Sequence, residues 1–319
     1  MRSAVIDSHG PPVDVVTLVE GPPPTPKSDE VLLRVLACPI NPMDQLIIRG
    51  HYPLKATLPA TPGSEGVAEV VDQGFDSGLM GKRVLLPIRS GSWRQQMCLK
   101  TTDLVVIPSH IDPINACTLR VNGATAAALV DTVEPGDWII QNPGAGGVGQ
   151  YVIQLAKARG VHTVNVVRSK TRIQRLTSLG ADVCIVDSPN LHRQVKEATN
   201  GAAIAAAFDG VGGESTARLG RCLVRQGRVW HYGAMSRQAP QLRVADTIFK
   251  GIELTGFWLY RFNQGVGQTS THGLLEKLTK LRLVNEVAEV FPLTKIHAAL
   301  TASIDPSVSG RVILSPNSD

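Results

Sequence analysis

The segment from Gly144 to Gly149 constrains the fold of this 319-residue chain more than any other. It reads Gly144, Ala145, Gly146, Gly147, Val148 and Gly149, a G-x-G-x-x-G pattern between a predicted strand over 138–141 and a predicted helix over 147–159. There the glycines permit a tight turn, an approach of backbone to a pyrophosphate, and close packing of helix on strand. The six residues are therefore predicted to bind a dinucleotide, with a ligand-free glycine turn as the alternative.

The segments after this turn alternate between apolar runs and amphipathic patterns. Residues 161–167 form a continuous apolar run, typical of a parallel strand buried on both faces. Strands are also predicted over 183–186, 205–209, 227–232 and 311–314, and helices over 121–133, 170–179, 191–199, 216–224, 273–281 and 296–301. The alternation predicts an α/β fold with a doubly wound parallel sheet, whereas the region before residue 113 is mostly β.

The residues that end the strand over 161–167 indicate which dinucleotide binds. An NAD site places an acidic residue there, and its carboxylate would repel a 2′-phosphate. This chain has Arg168, Lys170 and Arg172 and no acid, with Arg168 lying 19 residues after Gly149. A guanidinium can hold a phosphate in a bidentate fork. We therefore predict NADPH as cofactor, with a solvated basic turn as the alternative.

Composition excludes several classes of protein. The net charge of +5 comes from scattered residues, which argues against a nucleic-acid partner. No apolar run approaches the roughly 20 residues that span a bilayer, so no membrane partner is expected. The five cysteines are scattered, without a CxxC pair, and predict neither a disulfide framework nor a zinc knuckle. The start of the chain shows no leader pattern, and a cytoplasmic location is expected.

The order of a mostly β region, a dinucleotide fold and a short C-terminal return resembles the medium-chain dehydrogenase/reductase superfamily. Its zinc alcohol dehydrogenases carry a Cys-His pair and a Gly-His-Glu segment. The corresponding segments here read Ile40-Asn41-Pro42-Met43-Asp44 and Gly63-Ser64-Glu65. Catalytic zinc needs three good protein donors, which these segments do not supply. The expectation is a protein without a metal.

Two zinc-free branches of the superfamily resemble this chain, the quinone-type reductases and the enoyl-thioester reductases of mitochondrial fatty-acid synthesis. Residues 41–44 and 50–53 of this chain resemble both branches. Four further segments look more like the enoyl reductases: Gly91-Ser92-Trp93-Arg94, Asn165-Val166-Val167-Arg168, Tyr232-Gly233-Ala234-Met235 and Gly256-Phe257-Trp258-Leu259. This resemblance implies reduction of the C=C bond of a 2-enoyl thioester by NADPH, with hydride to the β-carbon and a proton to the α-carbon.

The resemblance also implies a domain plan. A GroES-like, mostly β catalytic domain is expected over 1–118, a Rossmann domain that binds NADP over 119–258, and a return to the first domain over 259–319. A homodimer through the edge strands of the cofactor domain is expected as well.

Roles for individual residues follow from the same resemblance. Tyr52 is expected beside the nicotinamide, bonding the thioester oxygen or delivering a proton, with a structural tyrosine as the alternative. Asn41 is expected to orient the Tyr52 loop or bond substrate, unless it only forms a turn. Trp258 is expected to form a wall of the acyl or nicotinamide pocket, with a simple core role as the alternative. Thr125 is expected to face the cofactor or to cap its helix. The remaining cofactor contacts are expected from Tyr232, Gly233, Ala234, Phe257 and Trp258.

Two rival functions use the same nucleotide site. An NADPH-dependent quinone or small-enone reductase would need no channel for an acyl chain. A non-catalytic NADPH-binding protein would keep the glycine turn and Arg168, whereas Tyr52 would be dispensable.

Overall fold

The structure, a computed structural model, describes residues 1–73 and 77–318. It divides into two compact units, the first formed by residues 1–122 and 269–319 and the second by residues 123–268. The strands are β1 (Arg2–Ile6), β2 (Val16–Glu20), β3 (Glu30–Pro39), β4 (Val67–Gln73), β5 (Arg83–Leu85), β6 (Gln96–Lys100), β7 (Val105–Ile107), β8 (Trp138–Asn142), β9 (His162–Val167), β10 (Val183–Val186), β11 (Ile204–Asp209), β12 (Leu223–His231), β13 (Glu253–Gly256), β14 (Val287–Pro292) and β15 (Arg311–Ser315).

The helices lie between these strands along the chain. They are α1 (Pro12–Val15), α2 (Pro42–Ile48), α3 (Pro113–Ala116), α4 (Ala124–Val130), α5 (Gly147–Arg159), α6 (Ile173–Leu179), α7 (Leu191–Ala198), α8 (Glu214–Cys222), α9 (Val244–Lys250), α10 (Leu259–Lys280) and α11 (Ile296–Ile304). Gly267 interrupts α10 with a non-helical backbone (φ 80°, ψ 166°). No helix in the described ranges combines the length and the apolarity needed to cross a bilayer.

The first unit is mostly β, as predicted. One sheet has the strand order β14-β15-β3-β4-β5-β7, with β6 also paired to β3, and β1 pairs with β2 separately. The antiparallel register of β3 with both β4 and β6 places Leu33 and Val35 in a core where neither side chain is exposed. Trp93 is fully buried in the same core, and its indole Nε1 donates to the Pro39 carbonyl at 3.2 Å.

The second unit is a parallel sheet with the strand order β10-β9-β8-β11-β12-β13. All five strand pairs are parallel, so the sheet has the doubly wound dinucleotide-binding topology. Five of the six residues of β9 are buried, which confirms the strand predicted from its apolar run. Strand β8 pairs with β9 on one side and with β11 on the other, so the order of the strands reverses at β8. This switch point is where such sheets place their ligands.

The helix predicted over 121–133 is wrong at both ends. Residues Leu119–Gly123 form a π-helical turn, and α4 covers only Ala124–Val130. The N–H of Val121, in the first turn of this segment, has no helical carbonyl to bind and donates to the Glu65 carboxylate at 2.7 Å. The helix predicted over 273–281 begins earlier as part of α10, and α9, β13 and β14 were not predicted.

Candidate active site

The glycine turn joins β8 to α5, and close contacts explain its glycines. A Cβ on Gly149 would collide with the Pro143 carbonyl oxygen and lie 2.6 Å from that of Gly144. A Cβ on Gly144 would lie 2.9 Å from the Cβ of Asn165 on β9. None of Gly144, Gly146 and Gly149 has a positive φ. Glycine is therefore needed for close packing of the turn rather than for a left-handed backbone.

The first turn of α5 has the features of an anion site. Helix α5 runs from Gly147 to Arg159, as predicted, and no side chain caps its N terminus at Gly146. Aligned N–H groups and the positive end of the helix dipole attract anions at such a terminus. Gln150 braces the loop, because its Nε2 donates to the Ala145 carbonyl at 3.0 Å. These features fit a pyrophosphate held by residues 144–149.

The cationic segment follows β9 at the same edge of the sheet. Arg168 and Lys170 are exposed and Arg172 is partly buried. The Ser169 hydroxyl accepts the N–H of Thr171 at 3.3 Å, which caps a short 3₁₀ turn over Lys170–Arg172. Within the described part of the chain, Arg168 has no ion pair with a carboxylate. Its guanidinium is available for a phosphate.

Asp209 organises the neighbouring strand end. The carboxylate is fully buried and accepts hydrogen bonds from the N–H groups of Val211 and Gly212 and from the Thr216 hydroxyl, and His231 Nδ1 lies 3.0 Å away. Burial would raise the pKa of Asp209, but the hydrogen bonds outweigh it and lower the pKa. The carboxylate therefore stays charged and fixes the loop after β11.

Tyr232 lies at the end of β12, next to this loop. Its hydroxyl donates to the Asn142 carbonyl at 3.3 Å, immediately before the glycine turn, and burial raises its pKa. Gly233 and Ala234 follow without regular structure, and Ala234 is exposed. The structure thus brings residues 232–234 to the same sheet edge as the glycine turn.

Tyr52 belongs to the first unit and follows helix α2. The His51 and Tyr52 N–H groups donate to the Leu46 carbonyl at 2.9 and 3.2 Å, so the backbone of Tyr52 is tied to the last turn of the helix. The Tyr52 side chain is partly buried. The position of the Tyr52 backbone therefore depends on the position of helix α2.

Asn41 precedes α2 and is 2% exposed. Its Nδ2 donates to Glu65 Oε1 at 2.8 Å and to Ser64 Oγ at 3.3 Å. Its Oδ1 accepts from Arg311 Nη1 at 2.8 Å and from Asn122 Nδ2 at 3.3 Å. Every polar atom of this amide is used inside the unit. The geometry favours the expected orienting role over direct contact with substrate.

The same polar cluster contains two carboxylates. Asp44 and Glu65 are both fully buried. Burial raises the pKa of Asp44 to about 7 and that of Glu65 to about 7, against opposing hydrogen bonds from Asn41, Ser64 and Val121. Arg311 is the cation in contact with the cluster. At neutral pH the cluster therefore sits near a titration point.

This titration predicts a pH dependence of stability. A carboxyl group whose pKa is higher in the folded state stabilises the fold at low pH, and the contribution is lost as the pH rises through the folded value. Glu65 should lower the free energy of unfolding by about 1.4 kcal/mol per pH unit between about pH 5 and about pH 7. Denaturant melts of wild type and Glu65→Gln at these two pH values should show a smaller decrease in the variant. Asp44, whose pKa is also raised to about 7, is present in both proteins and contributes equally to both decreases. Equal decreases in the free energy of unfolding of wild type and Glu65→Gln would contradict the raised pKa of Glu65.

Three further site candidates differ in their surroundings. Trp258 is 37% exposed and packs on Tyr260, with ring centroids 5.3 Å apart, so the simple core role is wrong for it. Phe257 packs on Phe262 at 5.7 Å. Thr125 is 6% exposed within α4, which has no side-chain cap, so the capping role is wrong as well.

Of the positions that carry zinc ligands in zinc alcohol dehydrogenases, Asn41 and Ser64 hold hydrogen-bonding side chains and Pro42 holds none. The Asn41 amide donates one hydrogen bond to the Ser64 hydroxyl and another to the Glu65 carboxylate. An amide and a hydroxyl are poor zinc donors. In the described ranges, no three His, Cys, Asp or Glu side chains group to hold a metal ion. This donor set does not fit the zinc site of those enzymes.

Sequence reasoning missed four residues of these clusters: Glu65, Asn122, Asp209 and Arg311. Glu65 was read only as part of a segment compared with zinc enzymes. Asp209 ends an apolar strand before Gly210-Val211-Gly212-Gly213, a position that could have marked it as a loop-organising acid. Arg311 carries no local signal, since its partner Asn41 lies 270 residues away.

Two family models match the chain. The alcohol dehydrogenase GroES-like domain matches residues 27–165, and the zinc-binding dehydrogenase model matches residues 147–278. Both models describe parts of medium-chain dehydrogenases and reductases, which is the class that the fold and the nucleotide turn define.

Curated relatives narrow this class. The mitochondrial enoyl-[acyl-carrier-protein] reductase of Homo sapiens is 35% identical over 98% of this chain and 88% of the relative. That of Xenopus tropicalis is 35% identical over 98% of this chain and 95% of the relative. The chain therefore belongs to the enoyl-reductase family of the medium-chain dehydrogenase/reductase superfamily.

Solved structures agree with this fold. Etr1p in complex with NADP and crotonyl-CoA matches with a TM-score of 0.86 and 26% identity, over 98% of this chain and 99% of that chain. A candidate NADPH:quinone reductase from Bacillus thuringiensis matches with a TM-score of 0.86 and 28% identity, over 98% of both chains. The predicted fold class, a GroES-like domain and a Rossmann domain, is confirmed.

Proposed function

We propose that the protein reduces the C=C bond of 2-enoyl thioesters with NADPH. The observation that carries this proposal is the similarity to the human enoyl reductase over 98% of the chain. The glycine turn supports a dinucleotide, and Arg168, which has no carboxylate partner among the described residues, supports a phosphorylated one.

The proposed cofactor contacts all come from the second unit. Residues 144–149 would hold the pyrophosphate, and Arg168, Lys170 and Arg172 would hold the 2′-phosphate. Thr125, Tyr232, Gly233, Ala234, Phe257 and Trp258 would hold the remainder of the dinucleotide. NADPH supplies the hydride when bound.

The chain's own residues must stabilise the enolate and manage the proton. Tyr52 would donate its hydroxyl to the thioester oxygen or deliver the α-proton, since a positioned acid of this kind contributes about 10²–10⁴-fold. Asn41 would act by orienting the segment that carries Tyr52, because its own polar atoms are engaged.

A quinone or small-enone reductase is the second candidate. It is supported by the similarity to the Bacillus thuringiensis protein. A non-catalytic NADPH-binding protein is the third. Purified protein should be incubated with NADPH and crotonyl-CoA, and separately with a quinone. We expect NADPH oxidation with crotonyl-CoA. Oxidation only with quinone would favour the second candidate, and binding without turnover the third.

We also infer a homodimer formed through the cofactor-binding unit. Strand β13 is the edge of its sheet, and an open edge can pair with a second copy. Three apolar side chains of the preceding helix α9 are exposed: Val244 at 70%, Ile248 at 67% and Phe249 at 69%. Apolar exposure beside an open edge is typical of an interface.

Replacing Ile248 with aspartate should convert this dimer to a monomer, because it places a charge in the apolar face. Light scattering after size-exclusion chromatography measures the mass. Ile304→Asp, at another exposed apolar position, is the control and should remain dimeric. A monomeric wild type, or an unchanged Ile248→Asp dimer, would contradict the inference.

We propose a cytoplasmic location for the protein. The five cysteines are all free, which suits a reducing compartment. The named relatives are mitochondrial enzymes.

A further inference from the structure

Glu65 is the centre of a buried polar cluster in the first unit. The side chain is fully buried just before β4. Its Oε1 accepts hydrogen bonds from Asn41 Nδ2 at 2.8 Å and Asn122 Nδ2 at 3.0 Å, and its Oε2 accepts the Val121 N–H at 2.7 Å. Both oxygens are therefore required as acceptors, a condition that a carboxylate meets and an amide does not.

The cluster determines which way the Asn41 amide points. Acceptors on Glu65 and Ser64 face its Nδ2, while donors on Arg311 and Asn122 face its Oδ1. A flipped amide would oppose donor to donor and acceptor to acceptor. Because unpaired buried polar groups are costly, one orientation is fixed.

Asn41 passes this constraint to helix α2. It occupies the N-cap of the helix, and its N–H donates to Asp44 Oδ2 at 2.8 Å. The helix is only seven residues long, and short helices are marginal without tertiary support. Its N terminus is thus held by the cluster.

The C-terminal end of α2 carries Tyr52. The Arg49 N–H donates to the Gln45 carbonyl at 3.0 Å, and the Tyr52 N–H donates to the Leu46 carbonyl at 3.2 Å. Hydrogen bonds at the two ends of α2, joined by the backbone of the helix, therefore connect the Glu65 carboxylate with the backbone of Tyr52.

We propose that Glu65 is a positioning residue for the reduction, acting through Asn41 and α2 on Tyr52. The inference rests on the proposed function. It assigns to Glu65, which lies beside positions that hold zinc ligands in zinc alcohol dehydrogenases, a task that needs no metal: orienting the segment that carries Tyr52.

The test uses Glu65→Gln at pH 8, with crotonyl-CoA and NADPH. An amide places an NH₂ group against a donor, so the variant should lose about 10- to 100-fold in kcat, as expected for a small displacement of a catalytic group. The Kd for NADPH should change by less than about twofold. Glu69→Gln is the matched control, because Glu69 lies four residues further along, on β4, and forms an ion pair with Arg34 outside the cluster. It should retain wild-type kcat.

A double-mutant cycle separates positioning from general damage. In a Tyr52→Phe background, Glu65→Gln should cost less than about twofold more in kcat, because both changes remove the same contribution. Additive losses would overturn the proposal. So would an unchanged kcat in Glu65→Gln.

Amide hydrogen exchange gives a readout that does not depend on turnover. Glu65→Gln should speed exchange in the peptide covering 41–53 while exchange in β9 and α5 stays unchanged. Unchanged exchange over 41–53 would overturn the proposal even if kcat fell. If wild type reduces no enoyl thioester, the proposed function fails, and exchange still decides whether Glu65 holds the Tyr52 segment.

Discussion

Tyr52→Phe is expected to lower kcat for crotonyl-CoA by about 10²–10⁴-fold, because the variant loses the hydroxyl that we assign to the thioester oxygen or the α-proton. The phenyl ring keeps the packing of the side chain, and the Tyr52 N–H bond to Leu46 does not involve the hydroxyl. The Kd for NADPH should change by less than about twofold. Stopped-flow measurement of NADPH oxidation gives kcat, and fluorescence titration gives the Kd.

A melting temperature equal to that of wild type controls for misfolding of Tyr52→Phe. Turnover within about twofold of wild type would make Tyr52 a structural residue, since a general acid is worth far more than that. A loss confined to KM would instead indicate a contribution to substrate binding alone.

Arg168→Ala is expected to weaken NADPH binding by about 10- to 100-fold and to leave NADH binding nearly unchanged. Hydrogen bonds between charged groups contribute about 1.5–3 kcal/mol, and only NADPH carries the 2′-phosphate. Fluorescence titration with both nucleotides measures the two Kd values. The preference for NADPH over NADH should fall by the same factor.

The control for Arg168→Ala is Lys196→Ala, which removes an exposed cation of α7 away from the end of β9. It should leave both Kd values as in wild type, which separates a local contact from the effect of net charge. Equal weakening of NADPH and NADH in Arg168→Ala would exclude Arg168 from the phosphate site.

The nucleotide-binding half of the fold could be predicted because its signals are local. The bounds of α5 and β10 match the predicted ones, and β9 extends over almost all of its apolar run. The glycine turn, the apolar run of β9 and the cations after it are each recognisable within one short segment of the sequence. Short elements with mixed composition, such as α9 and β13, lack a comparable pattern.

The buried cluster could not be predicted because it is assembled by tertiary structure. Asn41, Glu65, Asn122 and Arg311 come from four separate segments, and no local pattern links them to one another. Glu65 also accepts the N–H of Val121, in the π-helical turn that precedes α4. The orienting role of Asn41 likewise depends on its hydrogen-bond partners Glu65 and Arg311, which lie in distant segments of the sequence.

Transfer of deuterium from NADPH labelled at the nicotinamide C4 position tests the central claim most directly. Purified wild-type protein is given the labelled cofactor and crotonyl-CoA, and the product is analysed by mass spectrometry and NMR. We predict butyryl-CoA with one deuterium at the β-carbon, formed in equal amount to the NADPH consumed. NADPH oxidation without deuterium at that carbon, or no reaction with the thioester, would contradict the account.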